Sequence, residues 1–287
     1  MLIGVDGYSY HRLFGDVRPG EVPAGERWHD PAPLFEHARS LALDCVLLET
    51  CFLPSPEEID PDIFQAAGPT KVALSWGHPH GLEGGRSRSA EADARRWMEY
   101  AADLGHTLMR ITAGSPRTRG AEPAADLIAR LALPLRRLSD VAEKLGLKLA
   151  LENHADLRAA ELIELLARVD HPALAICLDN VNLLRVGDDL MSGVRLLAPL
   201  TVVVHLKDCK PGDPCVEGGP VSATLGTGVI DLPAILAELA SANFSGSICV
   251  EFGSLGPNDV DERAMIEGSV CWLRRHLAVS DPRPSVM

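Results

Sequence analysis

The 287-residue sequence has no Cys-x-x-Cys pair, no basic surplus, no glycine-rich dinucleotide loop after its first strand, and no apolar run near membrane-spanning length. Each absence closes a class. Seven cysteines, an odd number, lie scattered among apolar runs and loops. That pattern fits neither a structural zinc knuckle nor a disulfide framework, and a reducing cytoplasm is expected. Asp and Glu number 40 against 27 Lys and Arg, a net charge of −13. Nucleic acid and anionic membrane both favour a basic surface, so neither is an expected partner. The longest apolar runs fall far short of the ~20 residues a membrane helix needs. The opening MLIGVDGYSYHR lacks the basic and long apolar segments of a signal peptide. No linker, low-complexity tract or short-period repeat is visible, so a single domain over residues 1–287 is expected. With 46% hydrophobic residues the chain can bury a large core without staples.

What is present is alternation. Short β-type runs fall at Leu2–Asp6, Cys45–Glu49, Lys71–Trp76, Thr107–Thr112, Leu147–Glu152, Ala173–Asp179, Thr201–Leu206 and Gly246–Glu251. Most are apolar throughout, as strands buried on both faces are. Helical patterns separate them: Pro31–Leu43, a weaker Pro56–Ala67, Ser89–Leu104, Glu122–Leu145, Leu157–Val169, a weaker Asp188–Leu197, Asp231–Ser241 and Val260–Leu277. Gly105 and Gly146 stand where helices stop, and Asp30 and Asp231 where they start. Eight strands alternating with helices point to an α/β fold, a closed (β/α)8 TIM barrel rather than an open doubly wound sheet. Two loops are long, residues 7–30 and 207–230. Long loops in a compact fold are often functional.

In such a barrel the C-terminal ends of the strands form the active face. Glu152, Asp179, His205 and Glu251 each sit at or near the end of an apolar run. Unpaired charge is costly there. Three carboxylates and one imidazole converging on one face repel unless a cation sits among them. The oxygen-rich set suits one divalent metal ion, Mn²⁺ above all, with Mg²⁺, Co²⁺ or Zn²⁺ as alternatives.

These segments resemble the xylose isomerase-like barrel superfamily, and within it the sugar phosphate isomerase/epimerase group. The matching pieces are Leu151-Glu152-Asn153-His154, Leu178-Asp179-Asn180-Val181-Asn182, His205-Leu206-Lys207-Asp208, Gly226-Thr227-Gly228-Val229-Ile230-Asp231 and Val250-Glu251-Phe252. The first half matches by strand rhythm and by its opening Gly4-Val5-Asp6-Gly7-Tyr8-Ser9. The resemblance implies that Glu152, Asp179, His205 and Glu251 bind one metal and that Glu152 and Glu251 are the acid/base pair. It implies proton abstraction beside a carbonyl, with an enediolate stabilised by the metal. It also implies that His154 contacts substrate and that Glu49 is a substrate or supporting carboxylate. Asn182 departs from the pattern, since ketose 3-epimerases usually carry His there. Asn can still bond a hydroxyl or orient a ligand.

Other residues carry readings of their own. Lys207 suits an anionic group or an enolate, or is a solvated loop charge, with Asp208 orienting it. Arg110 lies inside a strand and must pair, with an anionic substrate or a ligand carboxylate. His78, with His80, is a rim feature or a second metal site. Tyr8 and His11 are placed to cover the pocket. Trp28 and Trp76 are a sugar-facing wall or plain packing. Gly226-x-Gly228 lacks the lysine and length of a phosphate loop, so it reads as structural. Cys215-Val216-Glu217-Gly218-Gly219-Pro220 is flexible enough to close over the pocket.

The expected activity is a metal-dependent isomerase or epimerase of a small polyhydroxy ketone or sugar, a free ketose before a sugar phosphate. A dehydratase of the inosose or 3-dehydroshikimate type starts with the same proton removal. An AP-endonuclease-like enzyme shares the barrel, but the acidic charge opposes it. A non-catalytic binding protein on a degenerate barrel is opposed by the intact ligand set. A homo-oligomer is compatible with the sequence.

Overall fold

The structure is a computed structural model that describes residues 1–213, 215 and 219–280. Among the described residues there are ten strands: β1 (Leu2–Asp6), β2 (Cys45–Glu49), β3 (Lys71–Ser75), β4 (Leu108–Thr112), β5 (Lys148–Glu152), β6 (Leu174–Asp179), β7 (Thr201–Leu206), β8 (Asp208–Cys209), β9 (Ser222–Ala223) and β10 (Ser247–Val250). Eight close into a parallel barrel in the order β1-β10-β7-β6-β5-β4-β3-β2. The short β8 and β9 pair antiparallel above it, within the long loop after β7. The (β/α)8 TIM barrel is therefore the fold.

The apolar strands explain the closure. Outward side chains such as Val46, Leu48, Met109, Leu149 and Val204 join one continuous core with the helices. Inward side chains are small. Cys45, Leu47, Ala150, Cys177, Val203 and Cys249 form a separate plug inside the barrel. Gly4 is part of this economy, since a Cβ there would lie 2.5 Å from Cys45 Sγ and 2.6 Å from its carbonyl oxygen. Several scattered cysteines are thus space-filling residues, and all seven are free thiols.

Helix ends follow local chemistry. Ser87 caps Arg88–Asp103, Asp189 caps Leu190–Leu197, and Asp231 caps Leu232–Ser241 with a proline in its first turn. The 22-residue helix Ala124–Leu145 stops at Gly146, whose φ is +70°. The expected helix over 56–67 is instead a 3-10 helix at Pro61–Ala67. Pro61 disfavours helical backbone at Asp60, which caps the later segment. The long loop after β1 is partly helical, at Gly7–Tyr10 and His11–Phe14.

Register sets the active face level. Thr112 pairs with Glu152, Glu152 with Cys177, and Asp179 with His205. An irregularity after Ile176 shifts the pairing of β6 and β7. It aligns Asp179 with His205 across neighbouring strands, the usual service of a bulge beside a site.

Candidate metal centre and cavity

The C-terminal strand ends surround a cavity of about 500 Å³. Tyr8, Glu49, His78, Arg110, Glu152, His154, Asn182, Lys207 and Glu251 are among its lining residues. Asp179 and His205 lie beneath, fully buried. Donor atoms of Asp179, His205 and Glu251 all lie within 4.8 Å of one another. Those of Glu152, Cys177 and His205 do likewise, so His205 joins two groups. His205 Nδ1 is 2.5 Å from Glu251 Oε2 and 3.7 Å from Glu152 Oε2.

Hydrogen bonds fix the rest of the floor. Lys207 Nζ spans Asp179 Oδ2 at 2.8 Å and Glu251 Oε1 at 2.9 Å. Arg110 Nε donates to Glu152 Oε2 at 2.5 Å, and its Nη1 lies 3.7 Å from Glu49 Oε1. Ser75 Oγ donates to the same Glu49 oxygen at 2.6 Å. Asn182 Nδ2 donates to Asp179 Oδ2 at 2.7 Å and Glu152 Oε1 at 3.2 Å. Asp179 Oδ1 caps the following short helix by accepting from Val181 and Asn182 N–H.

The charges divide by neighbour. Burial pushes Glu152 up, but Arg110, with His154 and His205 behind it, holds it below the carboxylate range. Burial acts on Glu251 too, and Lys207 and His205 outweigh it, so Glu251 lies well below that range. Burial pushes Asp6 well up, and Glu49 adds to the rise. Burial also raises Asp179 and Glu49, against the pull of Lys207 and Arg110 respectively. His205 is raised well above the imidazole range, because Cys177, Glu251 and Asp6 overcome its burial.

A metal fits these residues. His205 Nδ1 faces Glu251 Oε2 and Nε2 faces Asp6 Oδ2, all four atoms buried and none of them in a well-aligned hydrogen bond. Buried polar atoms are seldom left so. One nitrogen of His205 with the oxygens of Asp179 and Glu251, and Glu152 beside them, matches the donor set of a divalent cation.

Several expectations resolve differently. Arg110 pairs with floor carboxylates, the second of its two readings, and Lys207 bridges Asp179 and Glu251, while both also line the cavity. Asp208 does not orient Lys207. Its carboxylate accepts the backbone N–H groups of Cys209, Gly226, Gly228 and Ile230. That accounts for Gly226-x-Gly228: a Cβ on Gly228 would lie 2.1 Å from Asp208 Oδ1. The amides a phosphate would need are already engaged. His11 is buried against Glu21 at 2.9 Å and tethers its loop, while Tyr8 lines the cavity. Trp28 and Trp76 are packing residues: Trp28 meets Tyr10 and Phe14, and Trp76 donates to Asp93. His78 stacks on Trp76 at 5.1 Å, and among the described residues neither it nor His80 joins a metal-type group. His154 Nδ1 lies 2.9 Å from the Gly114 carbonyl, which can only accept, so Nε2 is the acceptor in the neutral ring. Of the segment 215–220, residues 216–218 lie outside the described residues.

Four residues escape a reading of the sequence. Asp6 ends β1 by the same rule that singles out Glu152 and Asp179, and its Oδ2 lies 3.3 Å from His205 Nε2. Cys177 lies two residues before Asp179, the strand spacing that shares a face. Arg185 follows Asn182 by one helical turn. Arg18 carries no local signal.

The family pattern of the xylose isomerase-like TIM barrel matches residues 63–276. The chain belongs to that family. A curated relative, the uncharacterized protein YihM of Escherichia coli K12, is 24% identical over 83 residues. That match spans 29% of this chain and 26% of the relative's length. Among solved structures, an L-ribulose 3-epimerase superposes with a TM-score of 0.73 at 17% identity, over 97% of this chain and 95% of its own. The IolI protein with a bound zinc atom gives 0.73 at 15% identity, over 99% and 100%. At such identities the xylose isomerase-like neighbours share the fold.

Proposed function

We propose that the protein is a metal-dependent isomerase or epimerase of a small polyhydroxy carbonyl compound, transferring a proton at the carbon beside the carbonyl. The observation that carries the reading is the grouping of Asp179, His205 and Glu251, and of Glu152 with the same His205, at the floor of the cavity, where the donor atoms of each group lie within 4.8 Å of one another. Its volume, about 500 Å³, lies within the range of small-molecule sites. The sugar epimerases among the structural neighbours are consistent with it.

Asp179, His205, Glu251 and Glu152 would hold the ion, which when bound polarises the substrate's carbonyl and adjacent hydroxyl. Mn²⁺ suits the oxygens, and the sulfur of Cys177 beside His205 widens the fit toward Co²⁺ and Zn²⁺. Glu152 and Glu251 are the acid/base pair. Glu251 is the better base, because it lines the cavity while Lys207 and His205 keep its carboxylate ionised. Both oxygens of Glu152 are engaged, by Arg110 and Asn182, which holds it still. His154 and Asn182 orient hydroxyls, and Glu49 with His78 closes the cavity on the β2–β3 side.

The test is solvent exchange by NMR in D₂O with Mn²⁺, across ketoses, their phosphates, inososes and dehydroshikimate. Carbon-bound deuterium without loss of water is expected. Glu251→Gln should keep its metal and lose exchange by about 10²–10⁴-fold. Loss of water from substrate would make the enzyme a dehydratase. Exchange at the wild-type rate in Glu251→Gln would remove that residue from the mechanism.

A further inference from the structure

We propose that Arg18 and Arg185 form a subsite for an anionic group, a carboxylate or a phosphate, carried by the substrate of the site proposed above. The inference rests on that reading and names its substrate class.

Both side chains line the cavity. Arg18 comes from the loop after β1, its guanidinium carbon 5.5 Å from the centre of the Tyr8 ring. Arg185 ends the short helix Asn180–Arg185, its Nη1 donating to Asn182 Oδ1 at 3.0 Å. Among the described residues neither has a carboxylate partner. Asp16, also in the lining, accepts from Tyr8 Oη at 3.0 Å. Most buried or half-buried arginines of this chain are paired. Arg12 meets Glu262, Arg130 meets Glu122, and Arg110 meets Glu152. Two guanidiniums facing one cavity with no carboxylate partner among the described residues, in a chain of 40 acidic residues, depart from that habit.

Like charges lining one cavity repel, and a bound anion relieves the repulsion. Burial, with the like charge of Arg18, lowers the pKa of Arg185 although Asp179 pulls the other way. Gly219 packs beside Arg185 and Gly253 beside Arg18, where added Cβ atoms would lie 3.6 Å and 3.4 Å from the guanidinium nitrogens. Guanidinium forks match carboxylate and phosphate oxygens in pairs. The cavity is thereby polar end to end, with carboxylates at its floor and arginines above. Asn182 joins the two parts, since it touches Arg185, Glu152 and Asp179. A sugar acid or sugar phosphate fits that polarity better than a neutral ketose.

Calorimetric titration of the Mn²⁺-loaded protein with D-fructose, D-fructose 6-phosphate and D-glucuronate tests the subsite. At low salt one or both charged probes should bind about tenfold tighter than fructose or more. Arg18→Ala and Arg185→Ala should each remove most of that advantage while fructose affinity changes by less than about twofold; Arg185→Lys should restore part of it. The proposal fails if no charged probe exceeds fructose, if the advantage survives both substitutions, or if fructose binding falls as far. Metal content and D₂O exchange, measured on the same proteins, separate the two readings. An arginine-dependent preference without metal or exchange leaves the anion subsite standing and the catalytic reading fallen. Metal and exchange without the preference do the reverse.

Discussion

Asp156 shows what a barrel rim can do to one carboxylate. It is buried, and burial lifts it to about 6, against the pull of His154 and with a further push from Glu152. In the unfolded chain the same group titrates near 3.8. Between those values the folded state binds the extra proton, so stability falls as pH rises through that window and stays lower above it. The loss amounts to about 2–3 kcal/mol. Asp156→Asn keeps an acceptor oxygen and removes the charge. It should be more stable than the wild type at pH 8 by about that amount, and the two should converge below pH ~4. Urea denaturation at both pH values checks this; an Asn variant that gains nothing at pH 8 would mean that the buried carboxylate is better solvated than its surroundings indicate. The same scale explains which site residues are visible in sequence. Glu152, Asp179 and Glu251 announce themselves because a charge at the end of an apolar run needs a reason. Arg18 and Arg185 do not, because whether an arginine is spare is decided by which acids the fold brings to it. The chain has 22 arginines that look alike until their partners are known.

At the scale of elements, the strands that carry the floor are joined beyond their ladders by two asparagines. Asn153 donates to the Asp179 carbonyl and accepts its N–H, at 2.8 and 2.7 Å. Asn180 makes the same pair with the backbone of Lys207, at 2.9 and 2.8 Å. Each amide stands one residue past a proposed ligand and does for the next strand what a backbone neighbour would. Asn180→Ala leaves a carbonyl and an N–H of Lys207 without partners, at a cost of about 2–4 kcal/mol. Amide exchange at Lys207 should quicken well beyond the change at core strands; unchanged protection there would show that the clamp is dispensable. Element boundaries were legible where one residue type dictates the geometry, as with Gly146 and Asp231. They were not legible over 56–67, where one proline set the start of a 3-10 helix within a weak helical pattern. The pairing shift after Ile176 left no trace in sequence either, since β6 and β7 read as uniformly apolar.

Across the whole molecule the site concentrates negative charge. Asp6, Glu49, Glu152, Asp179 and Glu251 face Arg110, Lys207 and His205, all buried or nearly so. Holding such a set together costs folding energy, and a divalent ion that binds only the folded chain returns it. Mn²⁺ at about 1,000 times its Kd should stabilise by about 4 kcal/mol, which raises the melting temperature by several degrees. Chelation should reverse the shift and Asp179→Ala should abolish it. A melting temperature indifferent to Mn²⁺, Co²⁺ and Zn²⁺ would leave the floor without its proposed ion. The barrel itself was legible from the count and alternation of strands, because burial on both faces leaves a continuous apolar signature. The loop architecture was not. The role of Asp208 depends on four amides from positions 209–230 meeting one carboxylate.

The two asparagine clamps have a consequence for inheritance. They lock the tips of β5, β6 and β7 to one another through side chains that belong to the floor, not to the loops above it. A lineage can therefore lengthen, shorten or rewrite those loops, and with them the choice of molecule admitted, while the geometry of the ancestral floor passes on intact. What the clamps separate is the part of the barrel that would hold the ion from the part that would choose the molecule.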